Sequence, residues 1–209
     1  MKINSPFTKR VLIVLLWTSV LYTGYQLTNR YQFFTVHHLP LTFIDDNVPF
    51  LVWTVIPYFI LIGGMYLPIF INNKKIFYQS LIALTIAVCL NYSIFFFWPT
   101  IIERPPIPLG NTISEQLYRW LLSIDGPANC FPSGHITSPG IGIWFLTRDK
   151  PQHKLIYFPL FVLCSLTVLT TKQHYAWDIL GGLSSMALGI FIAGKWQLEE
   201  KLFLKSKTA

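Results

Sequence analysis

The chain has 209 residues, of which 53% are hydrophobic and only 12% charged, and its mean hydropathy is +0.48. Soluble domains carry about 25% charged residues, so this composition excludes an ordinary soluble domain and predicts a membrane protein. The formal charge of +7 reads in that setting as cytoplasmic-loop bias and gives no reason to expect nucleic acid as a partner.

A membrane-spanning helix needs about 20 mostly apolar residues, and six candidates stand in the chain. The first covers residues 11–27. It follows Lys9 and Arg10 as a secretory signal would, but "VLIVLLWTSVLYTGYQL" stays apolar too long and no A-x-A site follows, so it reads as a retained helix. Residues 29–50 are too polar to span and predict an interfacial helix and turn. Their His37, His38, Asp45 and Asp46 read either as the lining of a lipid entrance or as surface anchors and loop caps. The second span covers 50–71, with Pro57, Gly63, Gly64 and Pro68 as kink points, and the third covers 76–97. The fourth, 136–147, is short: from Ile136 to Lys150 it rises about 22 Å against a hydrocarbon core of about 30 Å. Its outer end, with "CFPSG", is therefore expected below the membrane surface, lining a pocket. The fifth and sixth cover 155–171 and 175–194. There are no repeats and no low-complexity tracts, so residues 1–209 read as one domain: an all-α, polytopic six-helix bundle. The paired repeats that mark many transporters are not seen in the sequence.

Orientation follows from the cations between spans. Lys2, Lys9 and Arg10 precede the first; "NNKK" (72–75) joins the second and third; "RDKPQHK" (148–154) joins the fourth and fifth; Lys195, Lys201, Lys205 and Lys207 follow the sixth. Both termini are thus predicted cytoplasmic. The same parity brings Arg104, His135, Lys172 and His174 to the extracytoplasmic face.

Those four residues sit in segments suited to chemistry. In "TKQHYAWDILGG" (171–182), His174 and Asp178 are four apart and share a face if helical. The Asp can then hold one imidazole nitrogen and leave the other lone pair outward, as a nucleophile; a plain His–Asp helix cap is the alternative. In "PSGH" (132–135), Gly134 lets a ligand approach the backbone. Ser133 offers a hydroxyl, and the amides opening the fourth helix favour an anion; an ordinary N-cap is the alternative. His135 is a second imidazole, suited to protonate a leaving oxygen. Arg104, stiffened by Pro105 and Pro106, matches phosphate oxygens in a fork, and Lys172 adds a second cation; interfacial snorkelling is the alternative for each. No acidic cluster points to a divalent metal, no Cys/His spacing points to zinc, and no cofactor is implied. Cys130 reads as a packed thiol rather than a nucleophile.

The order R-P, P-S-G-H, H-x-x-x-D over residues 101–182 resembles the type 2 phosphatidic acid phosphatase superfamily, whose members are six-helix membrane enzymes related to haloperoxidases and acid phosphatases. The resemblance implies that His174 forms a phosphohistidine, Asp178 orients it, His135 is the general acid, and Ser133, Gly134 and Arg104 hold phosphate. Two positions depart from the family pattern. Phe97 stands where its first motif has Lys, and Thr167-Val168 stand where its third motif has Ser-Arg. Lys172 is close enough to His174 to replace one missing cation. The stretch "FWPTIIERP…NCFPSGH…TKQHYAWDILGG" further resembles inositol phosphorylceramide synthases and related head-group transferases. The expected activity is hydrolysis of a membrane lipid phosphate or diphosphate, without metal, at the outer face of the plasma (inner) membrane. The alternative is transfer of the phospho-head group to an alcohol through the same residues.

Overall fold

The computed structural model describes residues 5–207, with side chains through Lys195; Lys2 and the side chains of Lys201, Lys205 and Lys207 lie outside the described residues. Nine α-helices are present among them: α1 (Pro6–Arg30), α2 (Phe43–Asn47), α3 (Val55–Gly63), α4 (Lys74–Phe97), α5 (Ile113–Ile124), α6 (Gly134–Asp149), α7 (Lys154–Ser165), α8 (Thr167–Thr170) and α9 (Ala176–Lys207). Short 3-10 turns at Val52–Thr54, Gly64–Phe70 and Pro151–His153 extend α3 and α7. The described residues form no strand, only isolated bridges of His37 with Thr100 and Ile101 with Ala128.

Local chemistry sets the helix starts. Ser5 accepts from the Thr8 amide ahead of Pro6 to open α1, and Asn73 accepts from Lys75 and Ile76 to open α4. Thr42 with Asp45 and Thr112 with Glu115 form reciprocal capping boxes for α2 and α5, each satisfying two otherwise orphaned amides. The α5 helix was not among the sequence expectations. It is amphipathic and only 12 residues long, so a search for long apolar runs passes over it.

Hydrogen bonds order the bundle end to end. At one end, Arg10 bonds the Ile69 carbonyl and Asn72, while Asp149 accepts the amides of Asn72 and Asn73. At the other, Asn29 bonds the Gly126 and Ala128 backbone, Leu51 donates to Thr170, and Tyr118 donates to Thr171. The chain therefore crosses the bundle six times. Five of the crossings are long and apolar enough to traverse a membrane: Pro6–Arg30, Val52–Phe70, Lys74–Phe97, Pro151–Thr170 and Ala176–Lys195. By length and composition this is an integral membrane protein.

The sixth crossing, α6, differs. Its 16 residues rise about 24 Å, and it is wrapped by neighbours, with Ile136, Ile141, Phe145 and Leu146 all at 1% exposure or less. Glycine makes the wrapping possible. A Cβ on Gly142 would stand 2.4 Å from the Gly64 carbonyl oxygen, so only glycine lets these backbones touch. Gly182 does the same on α9, where a Cβ would lie 2.6 Å from the Ser133 carbonyl. That contact brings the start of α9 against the start of α6.

Candidate active site

Three connections and two helix starts meet at one end. The α6 start is tied to α9 by the Ser133 amide donating to the Asp178 carbonyl, 2.9 Å, and by Thr137 Oγ1 against the Gly182 carbonyl, 3.0 Å. Main-chain geometry then aims His174. Residues Thr167–Thr170 end in a tight turn in which the amides of Gln173 and His174 both donate to the Val168 carbonyl, and Lys172 takes a left-handed φ of 50°. The result is a buried His174, 4% exposed, beside a fully buried Asp178.

The two imidazoles expected to cooperate are in direct contact. His135 Nδ1 and His174 Nε2 are 2.9 Å apart, with ring centroids separated by 5.2 Å. His174 Nδ1 lies 3.2 Å from Asp178 Oδ2, which also accepts the Tyr175 amide at 2.8 Å. On the far side, His135 Nε2 lies 3.3 Å from the Tyr58 hydroxyl. One set of tautomers satisfies the whole chain, since each neutral imidazole has one donor and one acceptor. Nδ1–H of His174 donates to Asp178, Nδ1–H of His135 donates to His174 Nε2, and Tyr58 O–H donates to His135 Nε2. His174 Nε2 thereby carries the lone pair.

Polar atoms lacking protein partners surround this chain. Among the described residues these include Ser133 Oγ, Arg104 Nε, Gln173 Nε2 and Asn129 Oδ1. Buried polar groups are nearly always paired, so the unpaired Ser133 Oγ at the α6 start, with Arg104 Nε also unpaired, suits an acceptor-rich group there. The Gly134 and His135 amides precede the first bonds of α6, which run from Ile136 and Thr137 to the Ser133 carbonyl, and a Cβ on Gly134 would meet nothing within 4 Å. This is a fitting cradle for an anion.

Arg104 both builds and borders the site. Nη1 donates to the Asp125 carbonyl, and Nη2 donates to the Gly126 carbonyl and Gln173 Oε1, all at 2.7–2.8 Å. One Nη1 proton and the Nε proton are left over from its five donors. Lys172 is engaged elsewhere: Nζ donates to the main-chain carbonyls of Asp45 (3.2 Å) and Val48 (2.6 Å). Its ammonium therefore anchors the α2 turn, and the phosphate role expected of it gives way to this anchoring. Asp45 completes the anchor by accepting the Ala176 amide that opens α9, 2.9 Å. Of the two readings for Asp45, loop capping is the one its contacts fit.

Several residues escaped the sequence reading. Asp125, 7% exposed, accepts Tyr25 O–H at 2.6 Å through Oδ1, and its Oδ2 lies 3.9 Å from His135 Nε2. Burial pushes its carboxyl above the usual aspartate range, while the Tyr25 hydrogen bond and the Arg104 charge pull the other way. Its only sequence signal is its position closing an amphipathic segment ten residues before His135. Tyr58 and Gln173 carry none. Cys130 is a packed thiol, 2% exposed, and burial holds it well above the ordinary thiol range.

A cavity of about 300 Å³ abuts the site. It is lined mostly by apolar side chains of α1, α3, α4 and α5, with Asp125, Gly134, His135, Ser138 and Pro139 also on its wall. His174 does not line it. Among the described residues no His/Cys/Asp/Glu group is arranged to hold a metal ion. Compared with protein families, with curated proteins and with solved structures, the chain matches none.

Proposed function

We propose that this protein is a membrane lipid phosphatase that works through a phosphohistidine on His174. The observation that carries the reading is the Asp178–His174–His135 chain, set against unpaired donors at the start of α6. A phosphoryl group received between the two rings replaces their mutual hydrogen bond. His174 Nε2 then forms the P–N bond as the P–O bond to the lipid alcohol breaks, and His135, charged by a proton taken up from the incoming phosphate monoanion, passes a proton to the departing oxygen. Ser133 Oγ, the remaining Arg104 donors and the α6 amides meet the charge on the equatorial oxygens, usually the largest catalytic contribution. Water next attacks phosphorus, yields a proton to His135, and the P–N bond breaks to release phosphate.

The cavity supports this division of labour. In an in-line displacement the leaving group departs opposite the nucleophile, and His135, not His174, borders the apolar space in which a lipid chain is comfortable. Asp125, within ion-pair reach of His135 Nε2, supplies the negative charge that favours the cationic acid. We place the site at the extracytoplasmic end of six membrane spans, with α6 as the short one and both termini cytoplasmic. The cations support that orientation: Lys9, Arg10, Lys74, Lys75, Arg148, Lys150 and Lys154 gather at the end away from the site.

The test uses purified protein and a panel of lipid phosphates, reading free phosphate, new phospholipid products and acid-labile phosphate on the protein. The reading expects phosphate release and label on His174. Label on another residue, or full release by His174→Ala, overturns it. A new phospholipid in place of free phosphate reassigns the same site to head-group transfer.

A further inference from the structure

The helices around the cavity form an incomplete ring. α1 packs on α4, α4 on α6, and α6 on α3. The ring is closed back to α1 at one end by the Gly64–Phe70 turn. At the other end it is closed by Gln26 of α1, which donates to the Ile124 carbonyl at 3.0 Å, and by Tyr25, which donates to Asp125. Between these closures lies the cavity, with Leu21 and Tyr22 of α1 and Phe59 and Ile62 of α3 among its lining. Its depth follows from α1. The lining runs from Trp17 to Tyr25, roughly 8–20 Å inside the site end of that helix at Arg30. A hydrocarbon core is about 30 Å thick, so the space lies at the level of lipid tails and not at the water surface.

The floor of this gap is buried and its rim is not. Val88 and Leu121 are 6% and 2% exposed, whereas Tyr22 and Trp120 are each 52% exposed. Val20 and Ile60, next in the chain to rim residues, are exposed and apolar as well, as suits side chains facing lipid. The gap therefore opens sideways. Toward the chemistry it reaches His135, whose Nδ1 meets His174. Asp125 stands beside that ring, and Ser138 follows one turn along α6. The rest of the lining is aliphatic and aromatic, apart from the Asn91 amide, which is turned to Thr137.

We propose that this gap is a lateral port: a hydrocarbon chain of the substrate slips from the bilayer between α1 and α3, rests against α4 and α6, and leaves its phosphate beside His135. The substrate class is then a phosphate ester of a long-chain lipid alcohol, presented from the membrane rather than from water. A volume of about 300 Å³ is at the low end for small-molecule pockets, roughly 300–1,000 Å³, and takes one chain. The proposal rests on the phosphatase reading for the head group. None of residues 29–50 lines the gap, so the lipid entrance weighed for that segment falls instead between two spanning helices. Lipid tails are as apolar as the lining, so moving a chain from bilayer to port gains little by itself. Preference for a phosphate-bearing lipid comes from the anion site at the α6 start, and the port supplies alignment, with the ester oxygen on the His135 side.

A long-chain alkylphosphonate with a diazirine midway along its chain tests the port in native protein reconstituted in bilayers. Its C–P bond offers no ester to break, so no turnover is needed. The matched long-chain alcohol with the same diazirine is the control. Lipid-facing side chains label in any bilayer, so the readout is the buried floor, Val88, Leu121 and Pro139, which a lipid outside the bundle does not touch. The proposal expects floor labelling, roughly tenfold stronger from the phosphonate than from the alcohol at limiting concentration. Ile62→Trp narrows the gap from α3 and should lower floor labelling by about the same factor; Leu21→Trp narrows it from α1 and serves if the first variant does not fold. No floor labelling, equal floor labelling by the alcohol, or undiminished floor labelling in a folded narrowed variant overturns the proposal. If neither variant folds, the comparison of the two probes in native protein decides. Phosphate release from lipid phosphates is scored separately. Phosphonate-selective floor labelling without any release leaves the port standing and removes the phosphatase reading. Release with labels confined to outward-facing residues such as Leu16 and Ile60 overturns the port and keeps the phosphatase.

Discussion

The two ends of this bundle both carry polar groups, yet they are finished differently: one is largely open to solvent and the other is buried. At the end holding Arg10, Asn72, Asn73 and Asp149, both Asp149 oxygens accept a main-chain amide, and Asn73 closes the first turn of α4. At the end holding the histidines, Arg104 Nε, Ser133 Oγ, Gln173 Nε2, Asn129 Oδ1 and Asp178 Oδ1 are buried without partners. Elsewhere among the described residues Ser165 Oγ and Asn91 Oδ1 are in the same condition. Leaving a buried polar group unpaired costs about 1–3 kcal/mol. The first end is open to solvent at Asn72 and Asn73 and has no such cost, so the unpaired buried cluster at the second is what supports the anion-binding reading proposed for it.

The sharpest way to break that contrast is to remove the reacting imidazoles. His174→Ala should lower kcat by on the order of 10⁴ or more, as removal of a nucleophile does in comparable enzymes. His135→Ala should lower it by about 10²–10⁴, with much of the loss recovered on a substrate whose leaving group is an acidic phenol and needs no proton. Equal losses on both leaving groups would reverse the roles of the rings. Initial rates on the two ester classes settle the matter.

Next in size is Ser133→Ala. Removing one donor to a developing oxyanion typically costs about 10²–10³ in kcat. Because Ser133 Oγ has no partner and does not cap α6, thermal stability should be unaffected. The mirror experiment is Asp149→Ala at the opposite end. It strips the acceptors from the Asn72 and Asn73 amides and should cost about 1–2 kcal/mol of stability, in the range for a lost cap, with kcat unchanged. Measuring kcat and thermal unfolding on both variants sharpens the comparison. If Ser133→Ala loses stability and keeps activity, the unpaired hydroxyl marks nothing.

How much of this could be read from the sequence follows from what each feature depends on. Long apolar runs made the five long crossings visible, and the residue 29–50 segment was readable as too polar to span. The i, i+4 spacing placed Asp178 against His174, and loop parity brought His135 to the same end. The α5 helix was not legible, because its stability comes from an amphipathic face and a Thr112–Glu115 box rather than from length. Lys172 was misread because proximity in sequence to His174 says nothing of direction: its left-handed backbone turns the side chain toward Asp45 and Val48. Asp125 and Tyr58 reach the site only through packing between distant helices, and no local pattern announces them.

Asp125 gives the subtlest test, because it joins the two kinds of polar group. One oxygen is satisfied by Tyr25, and the other faces His135 Nε2. Its carboxyl holds a proton above the ordinary aspartate value of about 3.9, since burial penalises the anion. A raised value means that the folded protein binds this proton more tightly than the unfolded chain. The associated stability is complete below the ordinary value and is lost as pH rises through the folded one. Asp125→Asn keeps an acceptor for Tyr25 but cannot ionise, so its thermal unfolding should flatten over the window starting near 3.9 and extending upward. The change should be a few degrees, since 1 kcal/mol moves Tm by about 2–4 °C in chains of this length. Activity supplies the reading that a purely structural role would leave untouched. With the facing carboxylate gone, cationic His135 loses its counter-charge and gives up its proton at lower pH. The alkaline limb of kcat/KM should therefore move to lower pH in Asp125→Asn. An alkaline limb that stays in place alongside a flattened stability profile would make Asp125 a fold residue alone and leave His135 without an electrostatic partner.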